Sequence, residues 1–172
     1  MQKVIRQNNI PQDSIIAKGF GAFHYCDSYC INIQANDNID KLTTNIFKSP
    51  DWAITLMKIR NALVSLVGLR AGGLKEDSHP ADYYPIGSRA VYFTVIDRND
   101  NEILMEEKDR HLNFRVSVKK SGSVNNLIVN LTTLVQYNNF GGRLYFTPVK
   151  PFHRLIIKST LKRLQKQYNP SS

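Results

Sequence analysis

Long uninterrupted apolar runs are missing from this sequence. The most apolar stretch, 52–69, is broken by Lys58, Arg60 and Asn61, which hydrocarbon would accept only at high cost. The opening MQKVIRQNNIPQD has no apolar segment of signal-peptide length. Neither a membrane span nor an export signal is therefore expected. Cysteine is almost as scarce, with only Cys26 and Cys30. On a strand they would stand ~13 Å apart at ~3.3 Å per residue, beyond the reach of a disulfide. Reduced thiols in a cytoplasmic protein are the simplest reading. There is no CxxC pair, and His24, His79, His111 and His153 lack the spacing of a metal site. No metal or cofactor is expected. Ser28 has no nucleophile-elbow context. Repeats, low-complexity tracts and linkers are absent as well. The chain reads as one domain over 1–172, with 1–18 and 169–172 at its periphery.

What is present is an ordinary globular composition with an unusual charge. Apolar residues make up 42% of the chain and charged residues 22%, which excludes a disordered polyelectrolyte. The formal charge of +9 favours polyanions or anionic surfaces as partners but says nothing about fold.

Periodicity then divides the chain. From Phe23 to Ile33 the residues Phe23, Tyr25, Asp27, Tyr29, Ile31 and Ile33 share one face of a strand. Asn36–Asp37–Asn38 turns into a short helix over 39–48. Ser49, Pro50 and Asp51 make a good start for a second helix. Trp52, Leu56, Ile59, Leu63, Leu66 and Val67 form its stripe, and a loop follows over 71–85. From residue 86 the period is two. Val91, Phe93 and Val95 predict one strand, 97–101 a turn, and Glu102–Lys108 the return. That hairpin reads as a sheet edge where Glu102, Glu106 and Glu107 would be solvated. Leu112, Phe114, Val116 and Val118 predict a half-buried strand, Ser121-Gly122-Ser123 a turn, and Leu127–Tyr137 the next strand. Asn138–Gly142 reads as a break before a final amphipathic helix over Pro148–Tyr168. Ile157, Leu161, Leu164 and Tyr168 line one side of it, with His153 at the rim and a basic arc opposite. The fold class is α+β: a curved antiparallel sheet around a long C-terminal helix, with two shorter helices after the first strand.

This order, together with the strings YCDSY (25–29), IRNALV (59–64), HLNFRVSV (111–118) and VKPFHRLI (149–156), resembles an uncharacterised bacterial domain-of-unknown-function family. That family is placed in the SRPBCC/START-like superfamily, the helix-grip fold shared with the birch-pollen allergen. The resemblance spans roughly 20–165. Cys26 stands where a small residue is usual, and Asn113 where Asp is expected. What the resemblance implies is a fold and a cavity between sheet and helix, with no established reaction.

The candidate site residues are Asp27, Phe114, Arg115, Val116, Tyr137, His153, Ile157 and Leu161. Asp27 on an apolar face needs a partner, since an unpaired buried carboxylate is heavily penalised. Arg115, Arg60, Arg89 and His24 are all candidates. An imidazole can take or give a proton, so His153 suits a general base, a ligand contact, or a structural bond to a backbone carbonyl or to Asp27. The expected function is binding of a small apolar molecule, without catalysis and without stable membrane insertion. The alternatives are a cyclase- or hydrolase-type enzyme in the same cavity and a basic nucleic-acid-binding module. The latter is disfavoured because aromatics are sparse among the basic residues.

Overall fold

The computed structural model describes residues 4–7, 9–48, 82–90, 93–123 and 125–170. The expected second helix over 49–67 and most of the 71–85 loop lie outside the described residues. What is described is α+β. Seven antiparallel strands form one sheet: β1 (Ile5–Gln7), β2 (Tyr25–Ile33), β3 (Arg89–Ala90), β4 (Phe93–Asn99), β5 (Glu102–Lys108), β6 (Leu112–Ser123) and β7 (Asn126–Tyr137). Their order is β1-β2-β7-β6-β5-β4-β3, which leaves the sheet open. Two helices are described, α1 (Ile39–Phe47) and the 29-residue α2 (Phe140–Tyr168).

The pleat sorts side chains between two environments. Asp27 pairs with Thr133, Thr133 with Val116, Val116 with Met105, and Met105 with Val95. Directly paired residues lie on the same side of a sheet, so this row spans five strands on one face. Tyr29, Leu131, Val118 and Ile103 form the next row. Ile39, Leu42 and Ile46 of α1 and Ile157, Leu161 and Leu164 of α2 close over this inner face as the main core. The outer face is more polar, with Ser28 bonded to Thr132 at 2.8 Å. The lead segment covers it, burying Ile16 and Phe20 against Leu104 and Leu134.

Three expectations change. The strand predicted from residue 86 is two strands, β3 folding back on β4 with Ala90 opposite Phe93. β3 extends the sheet beyond the expected β4–β5 edge hairpin, and the lead segment covers the face on which Glu102 and Glu106 stand. Glu102 and Glu106 are buried. Glu102 accepts bonds from Ser14, the Ile15 amide and Ser117, and Glu106 accepts from Arg115 at 2.5 Å. Ser121-Gly122-Ser123 is not the turn either. The ladder continues to Ser123 opposite Asn126, and Gly122 supplies a φ of 97° that other residues resist.

Local chemistry sets the helix ends. Asn38 caps α1 by accepting from the Lys41 amide at 2.8 Å. Asp40 in the first turn is 3% exposed and takes both Arg98 guanidinium nitrogens, at 2.7 and 2.9 Å, plus the Tyr84 amide at 2.8 Å. Burial alone would push this carboxyl up, but the Arg98 bonds hold it below its ordinary value. Beside the same helix, Tyr168 donates to Asp37 and accepts from Asn45. Burial and then the Asp37 bond push its hydroxyl up to about 12. Arg163 adds a bond to the Asn45 carbonyl at 3.0 Å. α2 is thus tied to the end of α1.

Removing one partner of a buried, hydrogen-bonded ion pair strands the other. Asp40→Ala is therefore expected to lower the unfolding free energy by about 3–5 kcal/mol in urea titration. Asp97→Ala, whose Lys18 contact is largely solvated, should change it by less than about 1 kcal/mol.

Candidate functional site

The site begins where α2 begins, and that is eight residues earlier than the residue pattern implied, at Phe140 instead of Pro148. The Asn-Gly-Gly signals that suggest a break form the cap. Asn139 accepts from the Gly142 amide at 3.0 Å. A Cβ at Gly142 would stand 2.0 Å from the His111 carbonyl oxygen, so only glycine lets the helix start this close to β6. The same oxygen accepts from the Asn138 amide at 2.9 Å. Pro148 and Pro151 sit inside the helix; each omits one helix bond, in a stretch whose outer side is exposed.

This start sets the rotation of α2, and His153 comes down on Asp27. His153 Nε2 stands 3.5 Å from Asp27 Oδ1, with the two side chains 6% and 1% exposed. The second carboxylate oxygen accepts from the Tyr25 hydroxyl at 2.6 Å. That hydroxyl accepts in turn from Arg154 Nε at 3.3 Å. Lys150 and Arg154 lie over the Tyr25 ring, at 4.8 and 5.8 Å from its centre. A relay of one basic residue, one phenol, one carboxylate and one imidazole is the result.

Aromatic rings frame it. His153 meets Phe114 edge-on at 5.8 Å, Phe114 stacks on Phe93 at 5.7 Å, and Phe93 meets Phe47 at 5.9 Å. On the other side Tyr25 meets Phe146 at 5.0 Å. Within this apolar frame four buried polar atoms have no well-formed hydrogen bond among the described residues: Asp27 Oδ1, His153 Nε2, Tyr29 Oη and Thr133 Oγ1. Asp27 and Thr133 face each other across β2 and β7, and Tyr29 is the next residue on that face. Their Cβ separations are roughly 5 to 8 Å by sheet geometry.

The electrostatics follow from burial. Desolvation pushes the Asp27 carboxyl up, but the contact and charge of His153, then the Tyr25 bond and Arg6, outweigh it, and it lies below its ordinary value. Desolvation first, then the bond to Asp27, push the Tyr25 hydroxyl up. Desolvation and the Asp27 charge raise Tyr29 too. Asp27 is thus a carboxylate at neutral pH, and both phenols stay protonated.

Of the eight residues singled out in the sequence, Asp27, His153, Phe114, Val116, Ile157 and Leu161 converge on the inner face. Tyr137 lies beside them at the foot of α2, 5.9 Å from Phe146 and stacked on His24 at 4.8 Å. Arg115 does not join them. The pleat turns it to the outer face between Phe114 and Val116, where it bonds Glu106 and the carbonyls of Ile16 and Lys18. It cannot be the partner of Asp27 across the sheet, nor is His24, whose Nδ1 accepts from the Tyr137 amide. Arg60 lies outside the described residues. Tyr25, Tyr29, Thr133, Lys150 and Arg154 were not singled out. Tyr25 and Tyr29 share the period-two face of Asp27, and that signal was available. Among the described residues no cluster of His, Cys, Asp or Glu could hold a metal ion, and both cysteines are free thiols.

A family profile described as a protein of unknown function, DUF2867, matches residues 20–160. The chain belongs to this family. The matched stretch of the DUF2867 domain runs from just before β2 to the last third of α2, and it contains every residue of the Tyr25–Asp27–His153 relay. Neither the curated proteins nor the solved structures return a match to the chain.

A carboxyl whose folded value is lowered contributes stability above its unfolded value and loses it as pH falls through the folded one. For Asp27 that contribution is present in full at neutral pH and declines below pH 3.8. The stability gap between the wild type and Asp27→Asn, measured by urea denaturation, should be widest near neutrality and should narrow progressively below pH 3.8.

Proposed function

We propose that this domain is a START-like, helix-grip binding module that takes a small, largely apolar molecule between the inner sheet face and α2. The observation that carries this reading is the pair of buried hydroxyls, Tyr29 Oη and Thr133 Oγ1, which have no hydrogen bond among the described residues and stand beside Asp27 in an aromatic and aliphatic frame. A buried hydroxyl left without a partner costs about 1–3 kcal/mol, so retaining Tyr29 and Thr133 there calls for a compensating group. An alcohol, phenol or similar head on an apolar body would donate to Asp27 Oδ1 and accept from Tyr29 or Thr133. Its body would lie against Phe114 and the Ile157/Leu161 side of α2. Pockets with apolar walls and a few convergent polar groups are the usual form of such sites. The module would work in the cytoplasm, where both thiols stay reduced.

A second reading has its own observation. The 3.5 Å approach of His153 to Asp27 is the geometry of an imidazole oriented by a carboxylate, which is the arrangement of a general base. Under this reading the same space would serve a cyclase- or hydrolase-type reaction.

Titration with an uncharged apolar fluorophore, followed by displacement with long-chain alcohols, phenols and matched alkanes, tests the first reading. Saturable binding is expected, with alcohols displacing the probe better than alkanes. Tyr29→Phe and Thr133→Val should each weaken alcohol binding by about threefold to tenfold, as one lost hydrogen bond implies, while leaving the unliganded protein at least as stable. If no probe or competitor binds saturably, the module reading fails. Recovery of chemically altered competitor, abolished by His153→Gln with binding intact, would favour the enzyme.

A further inference from the structure

The outer side of α2 is apolar in the wrong place for a water-facing surface. Phe140, Leu144, Phe152 and Leu155 are 77%, 54%, 49% and 65% exposed. At ~100° per residue they fall within an arc of about 120°. Exposed Pro148 and Pro151 lie in the same arc. The buried residues Phe146, Val149, His153, Ile157 and Leu164 occupy the opposite side. α2 therefore has two apolar sides, and only one of them meets the sheet.

Charge indicates what the second side suits. The 29 residues of α2 contain no Asp or Glu. Arg143, Lys150 and Arg154 flank the apolar arc on one border. Toward the C-terminus Lys158, Lys162 and Lys166 take over the arc itself. Exposed phenylalanine and leucine beside cations, on a helix without an acidic residue, match the make-up of helices that lie in the interface of an anionic bilayer. Each lysine or arginine near such a surface adds to its electrostatic attraction. No described helix is long and apolar enough to cross a membrane, so contact is confined to the surface. A protein partner would need an acidic groove shaped to this arc, whereas an anionic bilayer needs no shape match.

We infer that the outer face of α2 is a docking surface for anionic lipid bilayers, seating Phe140, Leu144, Phe152 and Leu155 among the acyl-chain boundary with the lysines at the headgroups. Docking by this face would hold the helix that closes the proposed ligand site directly against the membrane. The inference stands on the exposed arc and its charge, and does not need the ligand site.

Flotation of the full chain with vesicles of phosphatidylcholine alone and of phosphatidylcholine with phosphatidylglycerol tests it. Binding is expected to the anionic vesicles at low salt, and to fall steeply as salt rises. The double variants Phe152→Ser/Leu155→Ser and Lys158→Glu/Lys162→Glu should each lose at least tenfold in partitioning. All four side chains are exposed or flank exposed positions, and circular dichroism and thermal unfolding should match the wild type. Absence of binding to anionic vesicles would overturn the inference, as would unchanged binding of the serine variant. So would a dimer in solution that the serine variant dissociates, since a second copy would then cover the arc. Retention on RNA lost in the lysine variant, without vesicle binding, would assign the charge to nucleic acid and overturn it too.

Discussion

Asp27 is a carboxylate buried to 1% exposure in the middle of an apolar sheet face, and the placement of α2 answers to it. Burying an ion costs several kcal/mol unless partners reach it. Tyr25 comes from the same strand, two residues away, and can serve one oxygen by local geometry alone. The other oxygen has to be met from across the interface, and only a helix in one rotation and one register brings His153 there. That register is set at the far end of the element, where Gly142 lies against the His111 carbonyl and Asn139 closes the first turn. The aromatic rings around the pair exclude water and strengthen the interaction they enclose. Stability, helix placement and the candidate chemistry thus depend on a single contact.

The sheet itself is used on both sides, and its pleat keeps the two uses apart. Phe114 and Val116 face α2, while Arg115 between them anchors the lead segment through Glu106 and two backbone carbonyls. The outer face therefore carries its own buried and satisfied ion pair. A charge pair fully matched by hydrogen bonds is structural glue, whereas Tyr29 Oη and Thr133 Oγ1 have no hydrogen bond among the described residues.

Much of the architecture was legible in the residues. Period-two alternation marked β2, β4, β6 and β7, the turn at 97–101 marked β5 as a return strand, and the Ile157/Leu161/Leu164 stripe marked the inward side of α2. Asp27 and His153 stood out because a carboxylate on an apolar face and an imidazole at a helix rim both need an explanation. The errors came where the outcome depended on elements distant in the chain. Glu102 and Glu106 looked solvated because nothing local indicates that the lead segment and Arg115 close over them. Asn138–Gly142 looked like a break because glycine weakens a helix in isolation, and the contact with His111 that requires it is tertiary. Arg115 entered the candidate site through its neighbours, although the pleat places it on the other face.

Local order is a property of neighbouring residues, and for that reason the α+β class, the thiols, the net charge and the amphipathic character of α2 belonged to the sequence alone. Which groups meet belonged to the tertiary structure. Tyr25 and Arg154, 129 residues apart, share a bond that no spacing rule connects. The same holds for Asp27 and His153. Strand order, the choice of partner for each buried charge, and the second exposed side of α2 all follow from long-range packing, because hydrophobic burial rewards any apolar contact and only the assembled geometry decides among them.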